Sequence, residues 1–226
     1  MKFEQLAEYY LGNAAKGYDA GRAKLGKWAS EQRIAEDLLA MQPRGSAVID
    51  IPVGTGRFVK TYHRLHLVPT GMDISPDMIA IAAAKAQKIG LNMPLHIADI
   101  RSIDAMDGTF DVAICICFLN WIDIRGTREA FSELVRVARK SLIVGIRHYT
   151  PVGKLHPATP RGFWQWLLQM AVRFYKILHR DSLRIHEQAE ILAMFKQHGL
   201  EMKRRFRVVP PKYGTDYFIY LLEKPQ

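Results

Sequence analysis

Short, unbroken apolar runs alternate with segments of helical period through the middle of this chain, and that alternation limits the fold more than any other feature. "AVIDI" (47–51), "HLVPTGMDI" (66–74), "MPLHIAD" (93–99), "FDVAICICF" (110–118) and "SLIVGIRH" (141–148) read as strands. The first, fourth and fifth are continuously apolar, the pattern of a strand covered on both faces. Between the runs lie "GRFVKTYHRL", "SPDMIAIAAAKAQKI" and "TREAFSELVRVARK", which read as helices. Ser75, Pro76 and Asp77 open the second of these with a capping hydroxyl, a proline at the first helical position and an acid where the helix dipole favours one. Such alternation predicts right-handed βαβ units and a mostly parallel sheet with helices on both faces. After helix-like "EQAEILAMFKQHG" the pattern changes. "LEMKRRFRVV" and "TDYFIYLLEK" flank turn-like "PPKYG", which predicts an antiparallel strand pair appended to the sheet.

The first strand runs into "PVGTGRF". Glycines at such a strand-to-helix turn let backbone and ligand approach closely and present N–H groups to a nucleotide-like molecule. The dinucleotide fingerprint needs a third glycine, and that position is Val59; a Walker A loop needs Gly-Lys-Ser/Thr, which is absent. Two further acids extend the pattern. Asp73 closes the second strand, where a carboxylate accepts hydrogen bonds from ribose hydroxyls. Asp99 follows the third, where it accepts from an exocyclic amine, with Ile74 and Ile100 against the two faces of the ring.

"VIDIPVGTGRF", "GMDISPDMI", "HIADI" and "DGTFDVAICICFLNWI", in this order and spacing, resemble the cofactor motifs of class I S-adenosylmethionine-dependent methyltransferases over about residues 45–148. The resemblance implies a Rossmann-like α/β fold with a seven-stranded sheet ending in an antiparallel pair, and S-adenosyl-L-methionine as cofactor with S-adenosyl-L-homocysteine as product. It places Asp50, Gly54, Thr55 and Gly56 at the methionine end, Asp73 at the ribose, and Asp99 with Ile100 at the adenine. Cys117, on the fourth strand, joins the cofactor-lining set. The usual first glycine of the motif is Pro52 here, which removes one N–H from the turn. The implied organisation is a single domain over 1–226: an N-terminal helical lid (1–44), the cofactor core (45–148), a substrate-side helical insertion (149–186), and the final helix and strands (187–226).

On the acceptor side, Asn120, Trp121 and Asp123 follow the fourth strand, and His148 and Tyr149 end the fifth. His148 is the candidate base, the competing reading being a histidine merely exposed at a strand end. "FLNWID" lacks the Asn-Pro-Pro-aromatic stretch with which nucleic-acid amino-methyltransferases hold a flipped base. In "RGFWQWLLQMAVRFYKILHR" the residues Arg161, Gln165, Gln169, Arg173, Lys176 and Arg180 form a narrow polar stripe on an otherwise apolar helix. Such a helix needs cover on two sides, from the sheet and lid, a second subunit, a hydrophobic substrate, or lipid headgroups. Trp164 is its candidate substrate contact. In the N-terminal segment Tyr9, Tyr10, Tyr18 and Trp28 are candidates for a lid over the cofactor, with Tyr18 reaching the substrate; plain helix–helix packing explains the same aromatics.

The charge balance bears on the partner. The chain carries a net charge of +10, and between Arg147 and Arg207 twelve Lys or Arg stand against four acids. That suits an anionic partner (a nucleic acid, an anionic membrane surface or an acidic small molecule) as well as a plain solvated face. The two cysteines, Cys115 and Cys117, lie too close on one strand to pair and read as reduced buried thiols; without partner ligands no metal site is expected. With acids early in the N-terminus and no apolar stretch long enough to span a bilayer, a cytoplasmic protein, at most peripheral to a membrane, is expected. The reading that results is a methyltransferase acting on a small apolar or amphipathic molecule, a lipid being its most specific version and a homodimer one way to cover the apolar helix. Two alternatives stay open: an RNA methyltransferase using the basic last third, and a regulatory protein that binds the cofactor without turnover.

Overall fold

The computed structural model describes residues 12–23, 26–149, 185–212 and 215–225. Two helices, α1 (Asn13–Ala23) and α2 (Gly26–Ala40), precede a repeating unit: β1 (Ala47–Asp50), α3 (Val59–Leu65), β2 (Val68–Asp73), α4 (Pro76–Lys88), β3 (Leu95–Ile97), β4 (Phe110–Cys115), α5 (Ile124–Val137) and β5 (Ala138–Tyr149). The chain closes with β6 (His186–Glu187), α6 (Gln188–Gln197), β7 (Glu201–Lys212) and β8 (Thr215–Glu223). The sheet order is β3-β2-β1-β4-β5-β8-β7, with β6 paired to β5 off that path. Strands β1 to β5 are mutually parallel, and β8 runs antiparallel to both of its neighbours, β5 and β7. The parallel sheet and its antiparallel end match the reading of the sequence: seven strands form this path among the described residues. His186 and Glu187 add a short further strand by pairing with the last two residues of β5.

Residue chemistry sets the element boundaries. Ser75 caps α4 by accepting from the Met78 N–H at 3.3 Å, with Pro76 in the first turn. Asp123 caps α5 by accepting from the Gly126 N–H at 2.8 Å, so this helix begins three residues before the "TREAF" start that periodicity suggested. Asp123 is thereby a structural cap rather than a substrate group. The core is laid on both faces of the sheet. On one face α5 and α6 bring Phe131, Leu134, Ile191 and Phe195 against Phe218 and Tyr220 of β8. On the other, α2, α3 and α4 bring Leu38, Leu39, Tyr62 and Ala82 against Tyr217 and Ile219. Alternate residues of β8 therefore serve opposite layers, as the pleat requires. No helix among the described residues is long and apolar enough to cross a membrane.

Candidate functional site

The turn after β1 is wound inward. Gly54 and Gly56 have φ of 53° and 72°, left-handed values that glycine adopts without strain, and the Ile51–Pro52 peptide is cis. Gly56 is glycine for packing reasons as well: a Cβ there would lie 2.9 Å from Val59 Cγ2 and 3.0 Å from Ala82 Cα, wedging α3 from α4. The N–H groups of Val53, Gly54 and Gly56 donate to Met72 O, Asp73 Oδ2 and Val53 O at 2.7, 2.9 and 3.0 Å. These amides are therefore already engaged within the protein rather than held out to a ligand, a correction to the sequence reading of the turn. Thr55 Oγ1 donates to Asp19 Oδ1 at 2.6 Å, tying the turn to α1.

Beside this turn opens a cleft of about 610 Å³, mouth included, at the carboxyl edge of β1, β2 and β4. Its wall includes Pro52 and Gly54 from the turn, Asp73 and Ile74 after β2, Ile100 after β3, and Cys117 and Trp121 after β4, with Tyr18 of α1 as a cover. The Asp73 carboxylate accepts the N–H of Gly54 and that of Ser75, both at 2.9 Å. Burial raises its pKa, and those backbone N–H bonds oppose the rise. Ile74 and Ile100 both face the cleft, as a flat ring between them requires.

Other expected site residues sit elsewhere. Asp50 is buried behind the turn, where its Oδ2 accepts from the Tyr62 hydroxyl at 2.8 Å, and burial pushes its pKa up to about 7. Asp99 binds Arg101, accepting from its backbone N–H at 2.8 Å and from its guanidinium at 2.8–3.2 Å. Its carboxylate is thus directed to an ion pair, and its neighbour Ile100 carries the cleft wall. Asn120 is buried and accepts the Arg147 N–H at 2.9 Å, a brace between the β4 end and β5 rather than a lining group. Trp121 does line the cleft, its indole N–H donating to Cys117 O at 3.0 Å. Cys117 is not on the strand: β4 ends at Cys115, and Cys117 has φ of 63°. Both cysteines are free thiols, and burial pushes the Cys117 pKa up to about 11.

His148 is the largest correction among these residues. It has no exposed surface, stacks on Phe218 at 5.2 Å, and meets the Tyr220 hydroxyl through Nε2 at 2.6 Å. β5 runs to Tyr149 and the paired strands continue beside it, so this position is strand interior and faces the α5–α6 layer, not the cleft. Burial pushes its pKa down to about 4. The backbone of Tyr149 closes β5. The side chain of Tyr149, together with Tyr9, Tyr10, Trp164 and the helix expected over 161–180, lies outside the described residues.

One group has no counterpart in the sequence reading. Glu31 of α2 is fully buried, and its Oε1 accepts both from Arg57 at 2.9 Å and from the Cys117 thiol. Arg57 also donates to Trp28 O at 2.8 Å and lies over the Trp28 ring at 3.6 Å. The Tyr217 hydroxyl reaches Cys117 Sγ at 3.7 Å, crossing β5 at Gly145, where any side chain would collide with that hydroxyl. Arg57 follows directly on Gly56, yet nothing local announces its partner 26 residues upstream.

Comparison with known proteins bears on the stretch that forms the cleft. A family profile described as a methyltransferase domain matches residues 48–141, the stretch that holds the turn, Asp73, Ile100 and Cys117. Over residues 48–141 the chain thus matches a methyltransferase domain. The chain is 33% identical over 110 residues to a phosphatidylethanolamine N-methyltransferase of Cereibacter sphaeroides, covering 47% of this chain and 52% of the relative. It is 32% identical over 102 residues to a demethylmenaquinone methyltransferase of Thermus thermophilus, covering 44% and 45%. The chain thus spans about half the length of these curated relatives. Among solved structures, the methyltransferase domain and its flanks superpose on magnesium protoporphyrin IX methyltransferase of Synechocystis, crystallised with bound SAH, at a TM-score of 0.71. That match has 17% identity and covers 98% of this chain and 99% of the other, which shows a shared fold.

Proposed function

We propose that this chain transfers a methyl group from S-adenosyl-L-methionine to a small apolar or amphipathic acceptor, releasing S-adenosyl-L-homocysteine. One observation carries the reading: a single buried carboxylate, Asp73, stands in a cleft otherwise walled by apolar groups such as Ile51, Ile74, Met78 and Ile100. That chemistry fits an adenosyl group. The carboxylate has acceptor capacity for a ribose diol beyond its two backbone N–H bonds, and the two isoleucines suit the faces of an adenine.

The cofactor supplies a methyl on a sulfonium sulfur, so displacement needs only an aligned nucleophile. The methyl–sulfur pair stays with sulfur, and the acceptor's lone pair forms the new bond. The chain's work is to fix the cofactor's ribose and ring through Asp73, Ile74 and Ile100, to align the acceptor near Cys117 and Trp121, and to exclude water beneath Tyr18. Among the described residues lining the cleft, Tyr18 and Cys117 have pKa values raised by burial, so both stay protonated at neutral pH. This favours an acceptor atom that is already nucleophilic or whose proton leaves to water. The names of the relatives, one acting on phosphatidylethanolamine and another on demethylmenaquinone, support a lipid as acceptor. A lipid acceptor would bring the chain to a membrane surface.

Calorimetric titration with S-adenosyl-L-homocysteine should give binding that Asp73→Ala weakens by about a hundredfold, the size of two lost charge-assisted hydrogen bonds. Unchanged affinity in that variant would overturn the site. Labelled cofactor incubated with fractionated cell extract should place label in the lipid or small-molecule fraction; label confined to RNA would favour the basic surface and a nucleic-acid acceptor instead.

A further inference from the structure

β7 stands last in the strand order, so among the described residues one of its edges has no strand beside it. That edge is long and basic. β7 spans Glu201–Lys212, and "KRRFR" within it sets four cations in the five positions from Lys203 to Arg207. Register with β8 sorts their side chains to the two sides of the sheet. Arg205 and Arg207 stand opposite Tyr220 and Phe218, on the α6 side, with Cζ 4.8 and 5.3 Å from the Phe218 ring centroid. Arg204 and Phe206 stand opposite Leu221 and Ile219, on the α2 side. Cations therefore flank the open edge on both sides.

Two of these cations have acids and two do not. Lys203 holds Glu201 at 2.8 Å and Glu223 at 3.6 Å, and Arg207 holds the buried Asp216 at 3.2 Å. Arg204 and Arg205 are exposed, and among the described residues neither has a carboxylate within ion-pair distance. On the same strand Met202 and Phe206 are 44% and 40% exposed, large apolar side chains left in water beside the charges.

Charge decides what can cover this edge. A second copy pairing edge to edge would bring arginines against arginines, the like-charge arrangement that keeps exposed strands apart. An anionic partner is attracted instead. A lipid leaflet uses both kinds of side chain at once, cations at its phosphates and Phe206 and Met202 at the acyl boundary. A nucleic acid would take the cations and leave Met202 in water. Position agrees with the lipid. Tyr149 pairs with Thr215, which pairs with Lys212, so β7 ends on the same edge of the sheet as β5, the carboxyl edge at which the cleft opens. β4, which leads into the cleft wall at Cys117, is three strand spacings from β7, about 14 Å.

We propose that the outer edge of β7, through Arg204, Arg205 and Phe206, docks the protein on an anionic lipid surface. The inference rests on the methyl-transfer reading for its lipid acceptor and names the surface that brings the chain to it. A leaflet against β7 lies beside the mouth of the cleft, so the acceptor enters without crossing bulk water.

The test is flotation of the full chain with phosphatidylcholine vesicles, alone or with about a third phosphatidylglycerol. The parent should favour the anionic vesicles by at least about tenfold. Arg204→Gln, which removes a cation that packs on no ring, should weaken that partition about fivefold, and Arg204→Gln with Arg205→Gln about twenty-fivefold, since each arginine at an anionic leaflet acts nearly independently. Phe206→Ser should weaken it about tenfold through lost apolar burial. Lys60→Gln with Lys88→Gln removes the same charge from the exposed surface of α3 and α4 and should change the partition by less than about threefold. Equal partition onto both vesicles overturns the proposal, as does a loss in the Lys60, Lys88 variant equal to that in the Arg204, Arg205 variant, because net charge alone then acts. Binding to a duplex RNA that the β7 variants abolish, without any preference for anionic vesicles, also overturns it and makes the edge a nucleic-acid surface. All variants should keep the parent's affinity for S-adenosyl-L-homocysteine within about twofold, which shows that they fold. If the parent itself binds no S-adenosyl-L-homocysteine, the methyl-transfer reading fails, while the vesicle partition still decides the docking edge.

Discussion

Two buried titratable residues should pull the stability of this protein in opposite directions with pH. Asp50 is raised to about 7 by burial, so the folded chain holds its proton more tightly than the unfolded one does. Its contribution is complete below about pH 4, the ordinary carboxylate value, and is lost as pH rises through 7, at roughly 1.4 kcal/mol for each unit of displacement. Asp50→Asn keeps an acceptor for the Tyr62 hydroxyl and removes the charge. Urea denaturation should therefore show that the parent loses stability between pH 5 and 8 and that the variant loses less; equal slopes would mean that Asp50 ionises freely in the fold. His148 works the other way. Burial holds its pKa at about 4, so its contribution is complete above about pH 6.5 and is lost as pH falls toward 4. His148→Phe, which preserves the stack on Phe218, should flatten the acid limb of the same experiment while costing about 1 kcal/mol at pH 7 for the partner lost by the Tyr220 hydroxyl.

A buried ion pair ties α2 to the turn after β1. Side chains of Arg57 and Glu31 are 10% and 0% exposed, so removing either charge strands the other in a medium that cannot solvate it. Arg57→Met should cost about 3–5 kcal/mol by denaturant unfolding, and the Glu31→Met, Arg57→Met double variant should recover most of that loss. An additive double variant would show that the two side chains do not act as a pair. This lock also marks where the sequence stopped being readable. Periodicity placed β1, β2 and β4 within a few residues, and Ser75 and Pro76 announced α4, because caps and pleats are local chemistry. As cleft-lining residues Asp73, Ile74 and Ile100 were legible for the same reason: each sits at or just beyond the carboxyl end of a strand, the edge where a parallel sheet opens its crevice. The Glu31–Arg57 contact was not legible, since it joins a helix to a turn 26 residues later through tertiary packing alone. The burial of His148 was hidden likewise, because β6 and β8 cover it and only the folded sheet reveals their register with β5.

The whole molecule is a sheet with a filled layer on each face, so its ligand cleft can lie only at the strand ends, where α1 covers a turn anchored from below. Everything that would grip the cofactor belongs to the folded state: Asp73 is held by Gly54 and Ser75, Ile100 lies beyond β3, and Tyr18 lies beside Asp19, which binds Thr55 at 2.6 Å and Lys85 at 2.5 Å. The unfolded chain retains none of this arrangement, so the cofactor product should stabilise the fold by simple mass action. At a hundred times its dissociation constant S-adenosyl-L-homocysteine contributes about 2.7 kcal/mol. For a chain of this size each kcal/mol moves the melting temperature by roughly 2–4 °C, so a rise of about 5–10 °C is expected. Asp19→Ala should lower the melting temperature without ligand by a few degrees, since it leaves the buried Thr55 hydroxyl without its acceptor, and should also show a smaller ligand-induced rise because α1 is no longer held over the turn. A rise of full size in Asp19→Ala would mean that the cleft binds without its cover and that α1 is packing alone.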